Sequence, residues 1–288
     1  SSQFLDGFLD KDEILTSPAI LEKVAADAIL FIFPDCALMK LAAQARIPHR
    51  VATSHNLCTW RYCNLRVSFS RKKSDLHEAQ LNFRLLRPLG WERILPLAEI
   101  PKYYGLQTGE QLNEKYRPLL HPDKFNLIVH PKSKGSAHEW QLSNYETLCK
   151  SLDAKQYQIF ITGVASEGEA IKAEIPHFFE AENIIDLTGQ MDLKQLIAFI
   201  NQADGLFAGS TGPLHISAAL GRNTLGIYQP MRPAHPGRWQ PLGAKADYLV
   251  LDKICSDCRK QTYCACINQL SVAQVQAKIE NWHQKKFS

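Results

Sequence analysis

An α/β fold built as two Rossmann-like domains with parallel sheets is what the sequence predicts, on three observations. Strand-like and helix-like segments alternate from Asn126 to Leu251, the pattern of parallel strands joined by covering helices. Three of those strands run into loops rich in Gly, Ser, Lys or Glu that open a helix. The length of 288 residues is long for one domain and suits two.

Residues 1–105 are expected to form the first domain. They suggest a helix over 18–26, a strand over 28–33 closed by Pro34-Asp35, a helix over 37–45 and a short strand over 47–51. A further helix over 76–86 would bury Leu76, Leu81, Leu85 and Leu86. The opening Ser1-Ser-Gln-Phe reads as the middle of such a domain, so its first strand–helix units are expected to be missing. A more polar, proline-containing stretch runs from Gly90 to Lys124. Its part over 106–124 is the linker proper, with a short helix over 110–116.

The second domain, 125–270, reads as strands over 126–129, 158–162, 184–187, 205–208, 224–228 and 248–251. Helices over 142–152, 167–174, 193–202 and 213–220 separate them, and a closing helix is expected over 272–284, within 271–288.

The loops carry the chemistry. Strand 205–208 ends in Gly209-Ser-Thr-Gly-Pro-Leu-His215, with Ser210 and Thr211 as natural helix caps. A helix start presents unpaired N–H groups and the positive end of its dipole, both favourable to an anion. Gly209 and Gly212 leave room for close approach, and His215 is held beside the turn. The loop after strand 126–129 offers Ser133, Lys134, Ser136 and His138, a cation with hydroxyl donors suited to phosphate. The loop after 158–162 offers Glu167. Three such loops at strand ends point to a nucleotide, with cation and helix start on the diphosphate and a carboxylate on ribose hydroxyls. An ordinary strand-to-helix connection is the competing reading for each loop taken singly. His130 reads as a packed residue at a strand end. Arg232, His235 and Arg238, in the proline-rich run after strand 224–228, are candidates for the sugar or the acceptor; a stiff loop without such a role competes.

The runs HPKSKGSAHEW, ITGVASEGE and GSTGPLHISAALGRNTLGIYQPMRP, with the tail CSDCRKQTYCACINQLS, resemble glycosyltransferase family nine, the lipopolysaccharide heptosyltransferases. The resemblance covers residues 125–285 closely and 25–90 loosely. It implies a GT-B fold, in which the closing helix packs back toward the first domain, and an inverting, metal-independent transfer without a cofactor. The sugar, heptose, would come from ADP-heptose and pass to a lipopolysaccharide core acceptor. It places Ser133 and Lys134 on the diphosphate, Glu167 near ribose or adenine, and Thr211, Gly212 and His215 beneath the phosphates. The chain departs from the family pattern at Ser210, where many members carry Asp. It also lacks the N-terminal strand and Gly-Asp turn that bear the family's catalytic base, which leaves Asp35, after strand 28–33, as the candidate base in this chain. A non-catalytic nucleotide-sugar-binding protein, or a nucleotide-sugar epimerase on the same scaffold, remains open.

Charge and cysteines complete the reading. The net charge of +4 is concentrated in the first domain, at Arg50, Arg61, Arg66, Arg71, Lys72, Lys73, Arg84 and Arg87, against Asp75, Glu78 and Glu92. Such a face suits an anionic lipid A or core acceptor at the inner membrane surface; a merely solvated cationic face competes. No nucleic-acid signature accompanies the charge. No run of eighteen apolar residues or signal peptide is present, so the expected setting is cytoplasmic, with peripheral contact to that membrane. Of eight cysteines, Cys36 and Cys149 are expected in the core and Cys58 and Cys63 in a loop. The cluster Cys255, Cys258, Cys264 and Cys266 invites a zinc reading, but its Cys-x-Cys half is unusual for such a site. Free thiols or a reversible disulfide pinning the tail fit a reducing compartment better.

Overall fold

The computed structural model describes residues 11–17, 19–71, 73–106, 108, 111–135, 137–253, 255 and 263–288. The chain divides near residue 100 into two compact units.

The first unit runs α1 (Lys11–Thr16), α2 (Ala19–Val24), β1 (Ala28–Phe31), α3 (Cys36–Gln44), β2 (His49–Thr53), α4 (Leu57–Tyr62), β3 (Leu65–Val67) and α5 (Glu78–Phe83). Its three strands pair in parallel in the order β1-β2-β3, Leu30 lying opposite Val51 and Ala52 opposite Arg66. Each later helix starts on a residue that satisfies its free N–H groups. The Asp35 carboxylate accepts from the N–H groups of Ala37 and Leu38 at 2.9 and 3.1 Å, and Asn56 accepts from Cys58 at 2.8 Å. His77 and Gln80 form a reciprocal capping box on α5. Phe31, Met39, Ala42, Ile47, Ala52 and Cys63 pack together, and Val51, Val67, Phe69, Leu81 and Leu85 make a second cluster. The helix expected over 76–86 is shorter than anticipated. It tightens into a 3-10 turn at Arg84–Leu89, because Pro88 disfavours a helical residue before it.

Two expectations about this unit change. Cys36 is exposed rather than in the core, and Cys58 sits in α4 rather than in a loop. The two form a disulfide with Cα atoms 5.4 Å apart, joining the start of α3 to the start of α4. The cationic stretch is also less free than its composition implies. Arg50 donates to the carbonyls of Tyr62, at 2.8 Å, and Ile47, while Arg71 pairs with Glu78 at 2.7 Å.

The second unit runs β4 (Phe125–His130), α6 (Leu142–Ser151), β5 (Tyr157–Ile161), α7 (Ala165–Glu174), β6 (Ile184–Asp186), α8 (Leu193–Gln202), β7 (Gly205–Gly209), α9 (Gly212–Ala219), β8 (Asn223–Tyr228), α10 (Pro236–Trp239), β9 (Ala246–Val250), α11 (Ala265–Asn268) and α12 (Val272–Phe287). All six strands are parallel, in the order β6-β5-β4-β7-β8-β9. Every residue of β4, β5 and β7 is buried, as strands covered by helices on both faces require. One face packs Phe125, Leu127, Val129, Trp140, Tyr145 and Phe207, and the other packs Ile128, Phe160, Phe199 and Leu206. Trp140 donates its indole N–H to the Leu270 carbonyl at 3.1 Å. The closing helix α12 buries Val275, Ile279 and Trp282 in the core of this unit.

Before β4, the helix expected over 110–116 is absent among the described residues; Glu110 lies outside them. Asn113 accepts from the Lys115 N–H at 3.0 Å, a local turn that competes with helix, and a 3-10 turn follows at Arg117–Leu119. No helix among the described residues is long and apolar enough to cross a membrane.

Two predictions concern stability. The Cys36–Cys58 bridge spans 22 residues, so Cys36→Ser with Cys58→Ser should cost about 3 kcal/mol, read as an earlier unfolding transition. Gly168 is tighter still: an added Cβ would lie 2.0 Å from Thr188 Oγ1. Gly168→Ala should therefore destabilise the second unit by roughly 1–3 kcal/mol in chemical denaturation.

Candidate functional site

In the second unit, chain connections leave β4 in opposite directions, to β5 on one side and, after β6, to β7 on the other. The loops at the carboxyl ends of β4 and β7 consequently diverge and leave a crevice, the place where open α/β sheets bind ligands. A cleft of about 340 Å³ occupies it, within the range of small-ligand sites.

Four loops line that cleft. His130, Ser133 and Lys134 follow β4; Thr162, Gly163, Val164 and Glu167 follow β5; Leu187, Met191, Asp192, Leu193 and Leu196 follow β6; Thr211, Gly212 and Pro213 follow β7. Lys134 brings a cation to this lining and Glu167 and Asp192 bring carboxylates, but most of the wall is apolar. The sequence predicted Ser133, Lys134, Glu167, Thr211 and Gly212, and they come together. It missed the apolar wall, whose Leu187, Met191 and Leu193 signal only core packing by their type.

Thr211 occupies the cap position of α9, yet its hydroxyl makes no capping bond. That Oγ1 is buried and has no hydrogen-bond partner, a costly state for a protein to keep. A Cβ added at Gly209 or Gly212 would meet nothing within 4 Å. Protein packing does not demand glycine at either position, and the open space lies beside the free N–H groups of the helix start.

Glu167 is half committed. Its Oε2 accepts from the Val164 N–H at 2.9 Å, which fixes the carboxylate at the mouth of α7. That helix start approaches Thr188 only because Gly168 lacks a side chain. Thr188 in turn donates to Asp186 at 2.6 Å. Burial works against the Asp186 charge, but bonds from Lys172 and Thr188 outweigh it and hold the carboxyl below its ordinary range.

In the β4 loop the roles divide. Lys134 has a positive φ of 51° and Gly135 one of 81°, making a tight left-handed turn. Ser133 is not the free donor expected: its hydroxyl donates to the Ala137 carbonyl at 2.8 Å, and its N–H donates to Glu139 at 2.8 Å. Glu139 also pairs with Lys132 at 2.5 Å, so it braces the whole loop. Ser136 lies outside the described residues.

His130 is buried, with Nδ1 3.0 Å from Thr162 Oγ1. Burial pushes its pKa below the ordinary 6.5, and Glu167 and Glu139 offset this only in part.

The other candidates do not line the cleft. His235 caps α10, accepting from the Gly237 N–H at 3.1 Å, and Arg238 is buried with its guanidinium 5.6 Å from the Trp239 ring. Arg232 precedes a cis proline in the same run. His215 packs 6.4 Å from Trp239, Ser210 bonds to Tyr228, and His138 is absent from the cleft lining. Asp35, in the first unit, pairs with Lys11 at 2.6 Å besides capping α3. The Lys11 bond first, then the Leu38 N–H, hold its pKa below the usual carboxylate value, which makes it a poorer base than the sequence reading supposed.

Of the tail cysteines, Cys264 and Cys266 are buried and Cys255 is half-buried. Burial, then a bond with Cys255, push the Cys266 thiol up to about 11. Cys258 lies outside the described residues. Among those described, no group of three or more His, Cys, Asp or Glu is placed to hold a metal.

Two parallel-sheet units, the second with a crevice at its strand ends, are the architecture of a GT-B protein. The solved structures most like it in fold include a family 9 glycosyl transferase from Veillonella parvula, with a TM-score of 0.69 and 18% identity over 96% of this chain and 81% of that one. The Escherichia coli ADP-heptose LPS heptosyltransferase II gives 0.68 and 18%, over 96% and 82%. The profile of glycosyltransferase family 9 (heptosyltransferase) matches residues 36–267, and the chain belongs to that family. A Haemophilus influenzae protein described as a "putative glycosyltransferase" is 31% identical over 75% of this chain and 64% of its own length. A lipooligosaccharide heptosyltransferase 2 of the same organism is 27% identical over 41% and 34% respectively. The chain thus spans under two thirds of the length of these curated relatives.

The lowered His130 pKa has a signed consequence. The unfolded chain takes up the proton first, so the stability tied to neutral His130 is intact above about pH 6.5. It declines as pH falls through that value toward the lower folded pKa. His130→Gln should flatten this decline in thermal unfolding followed across that range.

Proposed function

We propose that this chain is a glycosyltransferase whose second unit grips a nucleoside diphosphate sugar, ADP-heptose being the donor the family favours. The observation that carries the reading is the buried, partnerless hydroxyl of Thr211 at the start of α9, beneath space left open by Gly209 and Gly212. A phosphate oxygen there would accept from Thr211 and from the backbone N–H groups of the helix start. Lys134 would neutralise it from the facing loop. The remaining oxygen of Glu167 would accept from ribose hydroxyls, and the wall of Leu187, Met191 and Leu193 would pack against the base.

In the transfer, an acceptor hydroxyl oxygen forms a bond to the anomeric carbon as the bond to the diphosphate oxygen breaks, inverting that carbon. The nucleoside diphosphate leaves with the electron pair, and the hydroxyl proton passes to a base. The developing negative charge is met by fixed donors and Lys134, which need no rearrangement as it appears; in this reading no metal ion is required. Asp35 keeps only a weak claim to be the base, for the reasons of its bonding. The acceptor in this reading is an anionic lipid A or core saccharide, reached from the cytoplasmic side of the inner membrane.

Calorimetry with ADP and UDP tests the site. Thr211→Val should weaken ADP binding by roughly 1–3 kcal/mol while leaving the unfolding midpoint unlowered, since the hydroxyl has no protein partner to lose. Lys134→Ala should weaken it comparably, with a steeper loss for the diphosphate than for AMP. Absence of ADP binding by the unaltered protein would end the proposal. Tight binding without transfer from ADP-heptose to lipid A acceptors would favour the non-catalytic alternative.

A further inference from the structure

We infer that the outward face of α4, together with the chain leaving β1, is a docking patch for an anionic phospholipid bilayer. Leu57, Trp60 and Arg61 stand at i, i+3 and i+4 of α4 and so share one face of that helix. That face is turned to solvent, with Leu57 86% and Trp60 60% exposed, while Thr59 on the opposite side is fully buried. The helix is amphipathic the wrong way round for a core element. Just past β1, Phe33 is 72% exposed and Ile32 also lies open. The Cys36–Cys58 disulfide ties the segment after β1 to the first turn of α4, so both apolar groups belong to one rim at the carboxyl ends of adjacent strands. Large side chains projecting together from one edge mark an interaction surface rather than chance exposure.

Charge selects the partner. The Arg66 guanidinium lies 4.5 Å from the centre of the Trp60 ring, and that of Arg61 5.6 Å from the Tyr62 ring. Neither arginine makes an ion pair with a described carboxylate, and both are exposed. The nearby carboxylates are already engaged, Asp35 by Lys11 and Glu78 by Arg71. Apolar tips flanked by uncompensated guanidinium groups match a layer with phosphates outside and acyl chains beneath. Tryptophan is favoured at that boundary, and basic residues beside it add affinity for anionic lipid. The inference deepens the proposed function, resting on an acceptor carried by a membrane, but its test needs neither donor nor acceptor.

The test is co-sedimentation with phosphatidylcholine vesicles made with and without phosphatidylglycerol. The unaltered protein should bind the anionic vesicles, release with added salt, and show a blue shift of tryptophan emission that Trp60→Phe abolishes. Leu57→Ser with Trp60→Ser should reduce binding at least tenfold. Arg61→Gln and Arg66→Gln should each reduce it about fivefold. Unchanged circular dichroism and an unfolding profile like that of the unaltered protein would show that the variants are folded, and neither readout depends on the donor site. Vesicle binding unchanged in the Leu57, Trp60 double variant would overturn the inference. So would a self-associating protein that ignores vesicles and becomes monomeric in that variant, since the patch would then be a contact between copies.

Discussion

The parallel pairing of β4 with both β5 and β7 is the constraint from which the rest of the second unit follows. A strand in the middle of a parallel sheet is buried on both faces, so its sequence must be apolar throughout, and Phe125–His130 obeys that except at Asn126 and His130. Those two polar residues are each bonded. Asn126 takes Asp204 and the carbonyl of His121 as partners, and His130 faces Thr162. Because the connections from β4 lead first to one side and then to the other, the helices after β5 and β7 begin on opposite sides of a gap. The gap is a consequence of topology, and only its lining is a matter of side-chain choice.

That lining shows which local costs the chain retains. The cap position of α9 holds a threonine whose hydroxyl caps nothing, the loop after β4 holds a lysine at positive φ, and two glycines stand where packing would admit a Cβ. A loop selected for stability alone would use a capping hydroxyl, a glycine at position 134 and side chains at 209 and 212. Thr211, Lys134 and Gly212 all line the same cleft. The braces, by contrast, are bonded within the protein: Glu139 with Lys132 and Ser133, one oxygen of Glu167 with the Val164 N–H, Asp186 with Lys172 and Thr188. Rigid support beneath an unsatisfied rim is the arrangement expected where bonding capacity is reserved for a ligand.

The legibility of all this in the sequence follows the same division. The second unit could be read almost element by element because long buried strands and amphipathic helices leave periodic patterns; α8 falls at residues 193–202 as expected. The family runs around Gly163 and Gly209 located the cleft. The first unit was harder. α4 and β3 are six and three residues long, too short for a period to show, and α4 carries its apolar residues on the solvent side, which defeats a pattern that assumes burial. The Cys36–Cys58 bridge depends on two helix starts meeting, which no spacing encodes. Ser133 was correctly placed at the cleft but misjudged in its bonds, since nothing marked Glu139, six residues on, as its partner. Arg232, His235 and Arg238 were plausible by charge alone. The cap made by His235 and the burial of Arg238 show that a proline-rich loop of eleven residues needs polar side chains simply to hold itself together.

The two units accordingly present different kinds of surface at their strand ends. In the second, the Thr211 hydroxyl is buried and without a partner, a donor that the proposed anion would use. In the first, apolar groups are exposed and spare, with arginines stacked against them. Water serves neither set as well as a fixed partner would: it brings no charge to the Thr211 hydroxyl, and it gains nothing from Leu57. Each surface therefore fits the partner proposed for it, a phosphate in one case and an apolar layer bordered by phosphates in the other. The proposed transfer, from a dissolved nucleotide sugar to a lipid-linked acceptor, would have need of both.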